Sequence, residues 1–69
     1  MTYPKYYKNA AHQVKVISND FSVWVSRNEI QAFTQEIETF IAQREYPEST
    51  ETEFKKAFNK TNKYLKSLI

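Results

Sequence analysis

Residues 14–26 read VKVISNDFSVWVS, and this stretch decides how the rest of the chain can fold. Apolar and polar side chains alternate on both sides of Asn19 and Asp20, two residue types that tolerate the positive φ values of tight hairpin turns. With a two-residue loop at that point, three pairs of residues face each other: Ser18 with Phe21, Val16 with Val23, and Val14 with Val25. The stretch therefore predicts an antiparallel β-hairpin over residues 12–26.

This pairing sorts the side chains of the hairpin onto two faces. The apolar face carries Val14, Val16, Phe21, Val23 and Val25. A slip of one residue would turn four valines and a phenylalanine outward, so we expect the register to be well specified. The opposite face carries Trp24, the only tryptophan of the chain, directly across from Lys15. A cation–π contact between these two side chains is then available.

A first amphipathic helix is predicted over residues 27–45. Ser26 and Glu29 have the spacing of a capping box, in which each side chain satisfies a free backbone N–H of the first turn. Apolar residues then recur at helical intervals, namely Ile30, Phe33, Ile37, Phe40 and Ile41. Pro47 ends the helix, because a proline disfavours helical geometry at the residue before it.

A second amphipathic helix is predicted over residues 50–69. Thr50 and Glu53 have the spacing of another capping box. The stripe that faces the core consists of Phe54, Ala57, Phe58, Thr61, Leu65 and Leu68. Glutamates occupy the first turn and lysines the later ones, an order that suits the helix dipole.

Residues 1–11 precede the hairpin. Pro4 biases Tyr3 towards an extended backbone, and tyrosines and lysines follow, so residues 3–8 form either a third, edge strand or a mobile arm. The elements together predict a single α+β domain over residues 1–69. We expect a two-layer ββαα arrangement in which both helices pack on the apolar face of the hairpin.

The composition excludes several kinds of functional site. The chain has no glycine, which the P-loop, the dinucleotide-binding fingerprint, the EF-hand loop and the nucleophile elbow all need. It has no cysteine and a single histidine, His12, which is too few for a recognisable zinc site. Glutamates such as Glu36 and Glu38 are expected on a solvated helix face. We therefore predict no enzyme activity, no bound metal and no cofactor.

The same composition suggests where the protein works. No stretch approaches the roughly 18 apolar residues of a membrane span. The opening MTYPKYYKN lacks the apolar run of a signal peptide. The absence of cysteine fits a reducing compartment. A cytoplasmic location is the expectation.

Charge is distributed unevenly along the chain, although the net charge is only +2. Residues 1–28 carry +3, residues 29–53 carry −6 with seven glutamates, and residues 54–69 carry +5. The acidic segment and the basic ends would attract each other, within one molecule or between two copies. Exposed ion pairs are each worth less than about 1 kcal/mol, so this pattern favours an orientation more than an affinity.

The Trp24 face of the hairpin is the main candidate for a function. It holds Trp24, Lys15 and Ile17, with Tyr6 brought close by the N-terminal segment. A tryptophan among apolar groups is typical of an interface, so these four residues predict a non-catalytic interaction module that binds a protein partner or a second copy of the chain. In the alternative interpretation the N-terminal segment covers Trp24, which then fills a second, smaller core.

Nucleic-acid binding is the alternative function. Lys56, Lys60 and Lys63 recur at helical spacing and could contact phosphates, with Lys8 adding charge and the N-terminal tyrosines stacking on bases. Against this, the basic segments contain a single arginine, Arg27, and base readout favours arginine. A solvated helix face explains the same row of lysines.

Two short motifs resemble those of a known group of proteins. The opening Tyr3-Pro4-Lys5-Tyr6-Tyr7-Lys8 and the segment Thr52-Glu53-Phe54-x-x-Ala57 are similar to short uncharacterised proteins of gut bacteria and their phages. The resemblance covers the two ends of the chain and implies no activity. It suggests a phage or mobile-element origin.

Overall fold

A computed structural model describes residues 3–69 as a four-stranded antiparallel sheet followed by two helices. The strands are β1 (Lys5–Lys8), β2 (Gln13–Ser18), β3 (Phe21–Val25) and β4 (Ile30–Phe33), and the helices are α1 (Glu38–Arg44) and α2 (Glu51–Ser67). The strands lie in the order β1-β2-β3-β4. The predicted α+β class is confirmed, and of the two alternatives for residues 3–8 the structure has the strand. The arrangement is ββββαα, so the predicted ββαα order lacked β4.

Strands β2 and β3 form the predicted hairpin, but most of their register differs from the prediction. Ser18 faces Phe21 across the two-residue loop, as predicted. The register then shifts by one residue at Ile17, the extra residue of a β-bulge. The remaining pairs are Val16 with Ser22, Lys15 with Val23, Val14 with Trp24, and Gln13 with Val25. The predicted pairs of Val16 with Val23 and Val14 with Val25 are wrong.

The shift places the valines on opposite faces of the sheet, because side chains alternate along each strand. Val14 and Val16 lie on one face, where both are buried against Ile37 and Ile41 of the α1 region. We call this the α1 face. Trp24 lies on it too, because it pairs with Val14.

The other face, which we call the α2 face, carries Val23 and Val25. Helix α2 contacts β2, β3 and β4. Its Phe54 ring lies 5.8 Å from the ring of Tyr6, which the register places on the α2 face. Each face of the sheet is therefore covered by one helix, and the prediction that both helices pack on one valine face is wrong.

Strand β4 occupies residues that were predicted to be helical. Ser26 N–H donates to the Glu29 carbonyl at 2.9 Å, which closes a tight loop between β3 and β4. The Ser26–Glu29 spacing therefore belongs to a hairpin turn and not to a capping box. The first helix begins at Glu38 and ends at Arg44, so the predicted span of residues 27–45 is wrong in its first half.

Helix α2 agrees closely with the predicted span of residues 50–69. Thr50 is its N-cap, and its hydroxyl accepts from Glu53 N–H at 3.1 Å. Phe54 and Thr61 are the buried residues of the helix. The Thr61 hydroxyl donates to the Ser26 carbonyl at 2.6 Å, which fixes α2 against the end of β3.

The segment between the helices closes the outer edge of β1. Lys8 N–H donates to the Pro47 carbonyl at 3.0 Å, and Ser49 N–H donates to the Tyr6 carbonyl at 2.9 Å. Tyr7 and Glu48 form an antiparallel bridge between these two bonds. Residues 47–49 thus satisfy backbone groups that an edge strand would otherwise leave free.

Candidate functional site

Trp24 lies partly buried on the α1 face, with its polar atom already satisfied. Its indole Nε1–H donates to the hydroxyl of Ser22 at 3.0 Å, and Ser22 is fully buried two residues earlier in β3. Because this bond uses the only hydrogen-bond donor of the side chain, the indole offers its surroundings an apolar ring. Any partner would therefore meet Trp24 as a hydrophobic surface.

Four aromatic side chains surround Trp24 in edge-to-face contact. The ring centroids lie 5.6 Å from His12, 5.9 Å from Phe33 and Phe40, and 6.0 Å from Tyr46. Such contacts contribute about 0.5–1.5 kcal/mol each beyond the area they bury. Phe40 belongs to α1 and Tyr46 follows it, so the α1 region supplies two of these four ring contacts, and His12 and Phe33 supply the other two.

A cleft of about 310 Å³ opens beside Trp24, between the start of α1 and strand β4. Its apolar lining consists of Trp24, Phe33, Ile37 and Phe40, and its polar lining of His12, Glu29, Gln31, Gln35 and Glu36. Ile41 of α1 packs on the valines of β2 and Phe40 reaches Trp24, so the cleft lies over the part of β3 and β4 beyond these contacts. We call this feature the Trp24 cleft.

The charges at the Trp24 cleft are negative. Glu29 and Glu36 line it and are exposed, whereas no lysine or arginine among the described residues does. Arg44 lies beyond the apolar wall, with its guanidinium carbon 4.6 Å from the centre of the Phe40 ring. A ligand in the cleft would therefore meet aromatic rings flanked by carboxylates.

At the first turn of α1, Tyr3 joins the N-terminal segment to the helix. Its hydroxyl donates to Glu38 Oε1 at 2.6 Å, and its ring packs against the core beneath α1. The hydrogen bond to the carboxylate raises the pKa of Tyr3 to about 12. Because an ordinary tyrosine has a pKa near 10, this higher pKa keeps the phenol protonated, and able to donate to Glu38, in more alkaline solution.

The structure does not bring the four predicted partner-binding residues together. Trp24 lies on the α1 face, but Lys15 and Tyr6 face each other on the α2 face, where Lys15 Nζ lies 6.0 Å from the centre of the Tyr6 ring. Ile17 is the exposed bulge residue. The residue opposite Trp24 is Val14, so the predicted pairing with Lys15 is wrong.

The four lysines predicted to bind nucleic acid lie on two different elements. Lys56, Lys60 and Lys63 are exposed on α2, and within residues 3–69 none of them forms an ion pair. Lys8 lies on β1 instead, with its Nζ 3.7 Å from Glu53 Oε2. The row on the helix therefore exists as predicted, without the contribution of Lys8.

The aromatic neighbours of Trp24 were not predicted. Phe33 and Phe40 were assigned to one helical stripe, and His12 to no site. Phe40 and Tyr46 lie six residues apart on either side of the predicted helix end, a spacing that allows both rings to contact the sheet. The position of α1 in the structure shows that both rings contact Trp24.

The described residues form neither a metal site nor a membrane-spanning helix. Within the described residues, no group of three or more histidine or carboxylate side chains is placed to hold a metal ion. No helix within residues 3–69 combines the length and the apolar character needed to cross a membrane. Comparison with protein-family models, with curated proteins and with solved structures found nothing that matches this chain.

Proposed function

We propose that this protein is a non-catalytic interaction module that binds a protein partner through the Trp24 cleft. One observation carries the proposal: an apolar, aromatic-lined cleft lies open on the α1 face, beside the core that the α1 region forms with β2. Aromatic side chains in a concave apolar site are typical of the residues that dominate binding energy at protein interfaces. The predicted anchor Trp24 is retained, with Phe33 and Phe40 in place of Lys15, Ile17 and Tyr6.

Phe33 allows a test with a closely matched control. It is 39% exposed and lines the cleft, whereas Phe21 is 40% exposed and lies outside it. We expect peptides selected from a random display library on the wild-type protein to bind Phe33→Asp at least about tenfold more weakly, because loss of a hot-spot anchor costs about 2 kcal/mol or more and a tenfold change corresponds to about 1.4 kcal/mol. Phe21→Asp should bind them like the wild type. Affinities are measured by fluorescence polarisation, and circular dichroism checks that both variants fold.

Two outcomes would overturn the proposal. One is that repeated rounds of selection enrich no peptide. The other is that the enriched peptides bind Phe33→Asp and Phe21→Asp equally well, which would move the binding surface away from the cleft.

Nucleic-acid binding is the second candidate, and it rests on the exposed row of Lys56, Lys60 and Lys63. The row lies on α2, on the opposite side of the sheet from the Trp24 cleft, so the two functions do not share residues. Lysine–phosphate contacts weaken steeply as salt rises. A mobility-shift assay with short DNA and RNA at low and high salt tests this candidate.

A further inference from the structure

The two edges of the sheet differ in whether another segment of the chain bonds to them. Residues 47–49 cover the outer edge of β1 with two backbone hydrogen bonds. Strand β4 forms the other edge, and within residues 3–69 no backbone group bonds to its outer side. Ile30–Phe33 also lacks the lysine, proline or bulge with which proteins usually protect an open edge. The edge beside the Trp24 cleft is therefore free to pair.

The register shows which backbone groups this edge offers. Ser26 N–H bonds to the Glu29 carbonyl, and hydrogen-bonded and non-bonded pairs alternate along an antiparallel ladder. Gln31 and Phe33 consequently bond inward to β3, since they face Trp24 and Ser22. The N–H and C=O groups of Ile30 and Ala32 point outward.

The Trp24 cleft lies beside the same edge. The side chains of Gln31 and Phe33 lie on the α1 face and line the cleft. A strand added to β4 would direct every second side chain onto that face. The side chain across from Gln31 would lie in line with Gln31 and Trp24, between the positions of Glu29 and Phe33.

Charge specifies the residues on either side of that position. Glu29 precedes β4 on the α1 face, and Glu36 follows β4 and lines the cleft from its other end. Side chains two residues before and after the apolar one lie about 7 Å away along an added strand. A basic side chain across from Glu29 would meet that carboxylate, and one across from Phe33 would lie towards the end of the cleft that Glu36 lines.

We propose that an extended peptide segment adds to β4 as a fifth strand, places an apolar side chain in the Trp24 cleft, and carries basic residues two positions to either side. This inference rests on the proposed function and names its partner chemistry. It is a form of strand addition, in which main-chain hydrogen bonds supply affinity and alternate side chains supply specificity.

A second copy of the chain fits this edge less well. Pairing of two β4 strands would gather four carboxylates, Glu29 and Glu36 of each copy, at one interface, and among the described residues no lysine or arginine lines the cleft beside them. Like charges across an interface oppose association. A basic partner avoids this repulsion, so we assign the edge to a different chain.

The test uses a fluorescein-labelled synthetic peptide, Thr-Lys-Val-Leu-Val-Lys-Thr, and two isomers that are N-methylated on alternate residues. We expect the parent peptide to bind and one isomer to bind at least about tenfold more weakly, because its methyl groups remove the hydrogen bonds to Ile30 and Ala32. The other isomer, methylated on the solvent side, should bind like the parent. A peptide with glutamate in place of lysine should bind more weakly than the parent.

The outcomes separate the two proposals. If both isomers bind like the parent while Phe33→Asp abolishes binding, strand addition is overturned and the cleft remains the binding site. If the parent peptide binds the wild type and Phe33→Asp equally, it does not use the cleft, and strand addition beside the cleft is again overturned. If the parent peptide fails to bind even at millimolar concentration, the inferred partner chemistry is wrong, and the display selection then decides the proposed function alone.

Discussion

Replacing Val14 with aspartate is expected to leave the protein unfolded at room temperature. Val14 is fully buried and packs with Val16, Ile37 and Ile41 between the sheet and α1. An unpaired carboxylate in such a site costs several kcal/mol or forces the group to take up a proton. A domain of this length has a stability of roughly 3–10 kcal/mol, so the substitution removes most or all of it. Far-ultraviolet circular dichroism and amide chemical-shift dispersion measure the loss.

Ile17→Asp is the matched control for this substitution. Ile17 lies in the same strand and is also β-branched, but it is the bulge residue and is 43% exposed. We expect its free energy of unfolding to change by about 1 kcal/mol or less. Equal damage by the two substitutions would contradict the placement of Val14 in the core and of Ile17 at an exposed bulge.

The second large effect is expected for Trp24→Ala. The substitution removes four edge-to-face ring contacts and leaves a void under Phe40 and Tyr46. We expect a loss of about 2–4 kcal/mol in the free energy of unfolding, towards the lower end of the range for large aromatic residues because Trp24 is only partly buried. Urea titration followed by circular dichroism measures it.

Trp24→Phe is the companion variant. It keeps an aromatic ring in place and removes the hydrogen bond to Ser22, so we expect a smaller loss, about 1 kcal/mol. If Trp24→Ala were as stable as the wild type, the tryptophan would be an exposed anchor with no part in packing. That result would contradict the role of α1 and Tyr46 in covering the indole.

The elements that were predicted correctly have local signals. The loop at Asn19 and Asp20, the cap at Thr50 and the stripe of α2 each depend on residues close together in the sequence. For the segment around Tyr6 and Tyr7 the sequence left an edge strand and a mobile arm open, and the structure has the strand. In each case the residues that predict the element are also the residues that form it.

The register of the hairpin could not be predicted in the same way. The bulge at Ile17 has no sequence signature, because bulges are often marked by glycine and this chain has none. Four valines at alternate positions suggested a single apolar face. The sheet is covered on both faces, so it needs two valines on each, and the bulge provides that division.

The misassigned helix start has a similar cause. The spacing of Ser26 and Glu29 suits both a capping box and a two-residue hairpin loop. Ile30 and Phe33 fit a helical stripe, but they also fit a strand that pairs with β3 at the edge of the sheet. Pairing with Val25 and Ser22 decides between the two, and that pairing is a tertiary interaction that local periodicity does not contain.

The candidate site was predicted only as far as Trp24. Its supposed companions Lys15 and Tyr6 were placed beside it by the incorrect register. The residues that contact Trp24 include Phe33 and Phe40. Phe33 does so because β4 pairs with β3, and Phe40 because α1 packs on the same face of the sheet. A site made from three separate elements depends on the tertiary fold, which explains why one residue was found and the others were not.

Amide hydrogen exchange in β4 tests the open edge beside the Trp24 cleft most directly. The register predicts slow exchange at Gln31 and Phe33, whose N–H groups bond to β3, and fast exchange at Ile30 and Ala32, whose N–H groups point outward. The measurement uses the unmodified protein and resolves each residue by nuclear magnetic resonance. Uniform protection of all four amides would contradict the account, because it would mean that these residues are helical or that another strand already covers the edge.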